Sequence, residues 1–203
     1  MSGHRLVVHD GEPGLVLTVL PGVGYTARGP VLARPATALR AAGWTTRTVV
    51  WDGRPDFDVA RRVYTDALRH GVAAAPGAVH LVLAKSLGTL ALPVAVELGL
   101  AGAWLTPLLT TDRAPEVRAA AADLGASGVP ALLAGGTADK LWDSALAAAS
   151  GARVLGVDGG DHSLEIDGDP ARTARVLDDV TAAVVDLAVA AARGGRAGDP
   201  PGP

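Results

Sequence analysis

The sequence predicts a three-layer α/β/α sandwich built on a mostly parallel sheet, and three observations predict it. Short β-branched runs recur along the chain and are apolar on both faces, as strands covered from two sides must be. Helical stretches alternate with them, which is the order of an α/β fold. The chain has 203 residues, 49% of them hydrophobic, enough for one sizeable core and within the range that a single core can serve.

The elements follow in order. RLVV (5–8) precedes a Gly-Glu-Pro-Gly turn and is expected to add an antiparallel hairpin strand at one edge. GLVLTVL (14–20) is the first full strand. A helix is expected to start at Pro35, where a missing N–H costs nothing, and to end at Gly43. After TTRTVVW (45–51), Asp56 can cap a helix with apolar positions Ala60, Val63, Ala67 and Leu68, ending before Gly71. VHLVLA (79–84) leads into an apolar segment that Pro93 should kink. AGAWLT (101–106) is followed by a new helix near Ala114, and VPALLAG (129–135) and ARVLGV (152–157) complete the sheet. Asp169 and Pro170 open the last helix, whose Val176, Leu177, Val180, Val184 and Leu187 form one apolar stripe. Residues 1–192 read as a single domain, and 193–203, which lack any apolar period, as a disordered tail.

Composition narrows the function. A net charge of −3 with no basic block argues against nucleic acid or an anionic membrane and for a small-molecule partner. There is no cysteine, hence no disulfide and no thiolate chemistry. Neither a signal-peptide pattern nor a run of about 18 apolar residues occurs, so a cytoplasmic location is the expectation. The histidines lack metalloprotease spacing, and neither a phosphate loop nor a clean dinucleotide fingerprint is present, so no metal or cofactor is expected. Oligomeric state is not legible.

In such sheets ligands gather where strands end. LVLAKSLGTLALP (81–93) ends a strand in Lys85-Ser86 and turns at once into another apolar segment. Ala84 and Gly88 are the small residues that a sharp strand-to-helix turn around an exposed serine requires; a simple N-cap serine is the alternative. LLAGGTADKLWD (132–143) places Asp139 just after another strand, where a carboxylate can orient an imidazole, with Asp143 as a rival acid. VLGVDGGDHSLEI (154–166) places His162 in a glycine-rich loop after the next strand. Serine, aspartate and histidine thus arise in that order at strand ends, and the coincidence of all three is far rarer than any one alone.

On these residues the sequence resembles the α/β-hydrolase superfamily, whose nucleophile turn and triad order take this form. TVLPGVGYTARGPVL (18–32) falls where that superfamily has its oxyanion loop, with Pro21-Gly22 in place of the frequent His-Gly. Together with KSLGT and GTADKLWD it is similar to small bacterial members of the dienelactone-hydrolase-like group, over roughly residues 15–187. Ala84 departs from the usual first glycine of the turn. The resemblance implies a minimal fold with no cap domain, since no room for a lid follows Thr106. It also implies a serine hydrolase that cleaves small esters or thioesters through an acyl-enzyme on Ser86, with His162 as base, Asp139 as its orienting acid, and the N–H groups of Leu87 and Val23 as oxyanion donors. Tyr25, Lys85 and Trp142 are candidate substrate contacts, and Trp104, Leu108 and Leu109 further wall candidates. Lys85, beside the nucleophile, is expected to meet a carboxylate such as Asp112 or Asp139, or an anionic substrate group. A non-catalytic binding module on the same scaffold, or an acyltransferase using the same serine, are the alternatives.

Overall fold

A computed structural model describes residues 3–196. Seven strands form one sheet: β1 (His4–His9), β2 (Glu12–Leu20), β3 (Trp44–Trp51), β4 (Val79–Lys85), β5 (Ala101–Leu105), β6 (Ala131–Gly136) and β7 (Arg153–Val157), in the spatial order β1-β3-β2-β4-β5-β6-β7. All neighbouring pairs are parallel except β1–β3. The chain steps outward from β2 to β3 and then crosses back over β2 to reach β4. The strand order therefore reverses between β2 and β4, and their carboxyl ends flank the crevice where α/β sheets bind ligands.

β1 is an antiparallel edge strand, but it is not a hairpin partner of β2. It pairs with β3 from His4 opposite Trp51 to His9 opposite Thr46. β2 already has β3 on one side and β4 on the other, so it offers no free edge.

Helices cover both faces. α1 (Pro30–Ala41) and α6 (Pro170–Arg196) lie on one, where Leu81 and Leu83 of β4 meet Leu32, Leu39, Val180 and Val184. α2 (Phe57–Ala74), α3 (Leu92–Glu97), α4 (Pro115–Ala122) and α5 (Ser144–Ala149) serve the other, where Val82 and Ala84 meet Tyr64, Leu90 and Ala95. Alternation along β4 divides the two cores residue by residue. Among the described residues no helix is long and apolar enough to cross a membrane.

Three helix boundaries differ from expectation. α1 begins at Pro30, which takes the first-turn place where its missing N–H is harmless, and Pro35 lies inside the helix. α2 runs through Gly71 to Ala74. α6 continues to Arg196, so an aperiodic tail starts no earlier than residue 197, and the remainder of that expectation lies outside the described residues. Pro93 does not kink a helix. A 3₁₀ turn over Ser86–Ala91 comes first, and Pro93 stands in the opening turn of α3.

The 3₁₀ turn lies hard against β2. A Cβ on Gly88 would collide with the carbonyl oxygen of Leu20. Gly88→Ala is expected to lower the unfolding free energy by about 1–3 kcal/mol, the usual cost of overpacking, read as a shift of the urea midpoint.

Candidate active site

Parallel alignment of β2 to β7 brings the loops after these strands to one edge of the sheet, those after β2, β4, β6 and β7 among them. Non-glycine residues with positive φ are three among those described: Ser86 (51°) after β4, Thr106 (42°) after β5 and Leu164 (60°) after β7. All lie beyond carboxyl ends of strands. Such conformations cost about 1–3 kcal/mol each and persist only where the surroundings over-determine them.

Around Ser86 the surroundings are tight. Its carbonyl accepts from Thr89 Oγ1 at 2.6 Å, and Thr89 in turn accepts from the Leu108 N–H at 3.3 Å. Gly22, in the loop after β2, faces the turn so closely that a Cβ there would lie 3.1 Å from Ser86 Cβ. The turn projects the Ser86 side chain toward the loop that carries His162.

Ser86 Oγ and His162 Nε2 are 2.7 Å apart, and His162 Nδ1 and Asp139 Oδ2 are 2.7 Å apart. An ionised carboxylate can only accept, so Nδ1 donates to Asp139, and the neutral ring presents Nε2 as acceptor to the serine hydroxyl. Asp139 is nearly sealed, with its side chain 3% exposed, and its other oxygen accepts from the Leu141 N–H at 2.9 Å. His162 is 37% exposed, so the serine end of the chain is open to water.

Main-chain bonds set this spacing. Thr137 N–H donates to Val157 at 2.9 Å and Ala138 N–H to Gly160 at 3.0 Å, lacing the loop of Asp139 to the loop of His162. The latter is shaped by the Asp161 carboxylate, which accepts from the N–H groups of Ser163 (2.7 Å) and Glu165 (2.9 Å).

The proposed oxyanion donors are the N–H groups of Leu87, next to the serine in sequence, and of Val23, in the loop whose Gly22 faces it. Leu87 N–H belongs to the opening turn of the 3₁₀ segment, where N–H groups have no acceptor within the helix. Val23 is 38% exposed in the loop after β2. That loop is anchored by a residue that sequence reasoning missed: Tyr64 of α2, fully buried, donates its hydroxyl to the Pro21 carbonyl and accepts from Trp51 Nε1 at 2.9 Å. Burial pushes its phenol pKa up. The available signal was a tyrosine on the apolar side of a helix, whose hydroxyl needs a partner once buried. A cleft of 210 Å³ adjoins the loop, lined by Pro21 to Gly24, Trp51 and Arg54 among others.

Several expected substrate contacts are core instead. Trp142 is 8% exposed, with its ring against Gly135 and its Nε1 donating to Ser144 at 2.8 Å. Trp104, Leu108 and Leu109 are buried too. Asp143, the rival acid, caps α5 through the Leu146 N–H and pairs with Arg118. Tyr25 accepts from the Val31 N–H at 3.0 Å and lies under Lys85.

Lys85 departs most from expectation. It forms no ion pair with Asp112 or Asp139 and does not face solvent: it is 1% exposed, and its Nζ donates to the His162 carbonyl at 2.7 Å. Burial pulls its pKa down to about 8 against the opposing pull of Asp139 and Asp161. Among the described residues no cluster of three or more His, Asp or Glu could hold a metal ion.

No family model and no curated protein matches this sequence. Solved structures do match in shape. A serine hydrolase homologue from Coxiella burnetii superposes with a TM-score of 0.65 at 12% identity, over 89% of this chain and 91% of that one. A serine hydrolase without a lid from Xanthomonas campestris gives 0.61 at 16% identity (91% and 87%), and a monoacylglycerol lipase from Paleococcus ferrophilus 0.65 at 12% (91% and 99%). The chain therefore has the α/β-hydrolase fold, and only nine residues, Thr106 to Ala114, separate β5 from α4 at the position where a lid could be inserted.

Two outcomes follow from this geometry. Tyr64→Phe leaves Pro21 O and Trp51 Nε1 without their partner and should cost about 1–3 kcal/mol in urea unfolding. The folded Lys85 loses its proton near pH 8, whereas the unfolded chain keeps it to about 10.5. The unfolded state then binds more protons, so between those pH values the wild type should gain stability relative to Lys85→Met, measured as unfolding free energy against pH.

Proposed function

We propose that this chain is a serine hydrolase that cleaves small carboxylic esters or thioesters through an acyl-enzyme on Ser86. The observation that carries the reading is the unbroken hydrogen-bonded chain from Ser86 Oγ through His162 to buried Asp139, at a strained turn.

In this reading Ser86 Oγ attacks the substrate carbonyl carbon while His162 Nε2 takes its proton. Asp139, held by the Leu141 N–H, stabilises the resulting imidazolium and keeps the ring in its useful tautomer. The carbonyl oxygen gains its charge between the N–H groups of Leu87 and Val23, each such donor lowering the barrier by on the order of 3 kcal/mol. His162 returns the proton to the departing alcohol or thiol. A water then enters over the exposed imidazole, gives a proton to Nε2 and attacks the acyl carbon, and the imidazolium protonates Ser86 Oγ as the acid leaves. The exposed histidine leaves room for water as the second acceptor.

A fluorophosphonate probe should add once to the wild type and not at all to Ser86→Ala or His162→Ala, as read by intact mass. No adduct on folded wild type would favour a binding module on the same scaffold. Asp139→Asn should retain the fold and lower kcat for short p-nitrophenyl esters by on the order of 10⁴.

A further inference from the structure

A lysine ammonium buried at the end of a central strand is costly, and the triad chemistry makes no use of it. Alternation along β4 puts Lys85 on the face of Leu81 and Leu83, toward α1 and α6, where a methionine or leucine would fill the space without desolvating a charge. What the charge gains is contact with three loops at once. It belongs to the nucleophile turn itself; its Nζ donates to the His162 carbonyl at 2.7 Å; and it stands 4.4 Å above the ring of Tyr25, whose hydroxyl accepts from Val31 at the start of α1. A charge-assisted bond is about twice as strong as a neutral one, and a desolvated cation over an aromatic ring adds to it.

We propose that Lys85 is a positioning residue whose ammonium clamps the histidine loop and the loop after β2 to the nucleophile turn, keeping His162 Nε2 on Ser86 Oγ. The inference rests on the reading of Ser86 as nucleophile only for its effect on rate; the clamp itself is a property of the fold. The groups facing the ammonium are the Tyr25 ring from the loop after β2, Asp139 from the loop after β6, and Asp161 and His162 from the loop after β7. The two carboxylates hold the proton on Lys85 against burial, and that proton is lost near pH 8.

The test is Lys85→Met in the full chain, read by hydrogen exchange and by the rate of fluorophosphonate labelling. Exchange in the peptide spanning 158–166 should speed up about tenfold or more, the equivalent of one lost charge-assisted bond, with the rest of the sheet unchanged. Labelling should slow by about 100-fold, as for a misplaced catalytic group. Unchanged exchange in that peptide overturns the proposal. A wild type that takes no label defeats the nucleophile reading alone, because exchange still decides the clamp. If the variant does not fold, the wild type suffices: opening that frees Lys85 takes up a proton between its folded pKa of about 8 and its ordinary 10.5, so protection of 158–166, corrected for intrinsic rates, should rise with pH across that range, and constant protection contradicts the clamp.

Discussion

The backbone of Ser86, held at φ 51°, is the constraint on which the rest of the site depends. A serine relaxes from that conformation unless its neighbours forbid it. Here Gly88 lets the following turn press against Leu20, Gly22 lets the loop after β2 close over the serine, and Thr89 ties down its carbonyl. The side chain is thereby fixed before any partner arrives, and holding a reacting group in place in this way can remove a large share of a reaction barrier.

The partners are fixed by a different means. Asp139 and His162 come from adjacent loops joined by main-chain bonds, so their spacing is inherited from the pairing of β6 with β7. Tyr64 and Lys85 are polar groups buried at a cost, and each joins a loop to a regular element: Tyr64 the loop after β2 to α2, Lys85 the histidine loop to β4. Both of these buried groups act at the carboxyl edge of the sheet, on the loops that flank Ser86. The opposite edge carries a cavity of 410 Å³ lined by Val79, His80, Leu100 and Pro130, far from any of these groups.

The sheet was legible because β2, β4, β5 and β6 carry apolar runs on both faces, and the placement of Ser86, Asp139 and His162 was legible because each lies in the loop after a strand. The pairing of β1 was not, since adjacency in sequence suggests a hairpin while the two parallel neighbours of β2 leave it no edge. Lys85, next to Ser86 in sequence, reads as part of the turn. Counted along β4 it shares a face with Leu81 and Leu83, and that count foretells its burial. Trp142 is a candidate substrate contact in the sequence, yet Gly135 leaves a space on β6 that the Trp142 ring fills.

The most direct test is to trap the covalent intermediate. Wild-type protein mixed with p-nitrophenyl acetate, quenched in acid within the first turnovers and digested, would be sequenced by mass spectrometry. An acetyl group on Ser86, absent from His162→Ala treated alike, is the expected result. Release of p-nitrophenol without any acetylated serine, or with the label elsewhere, would contradict the assignment of Ser86, His162 and Asp139 as one catalytic unit.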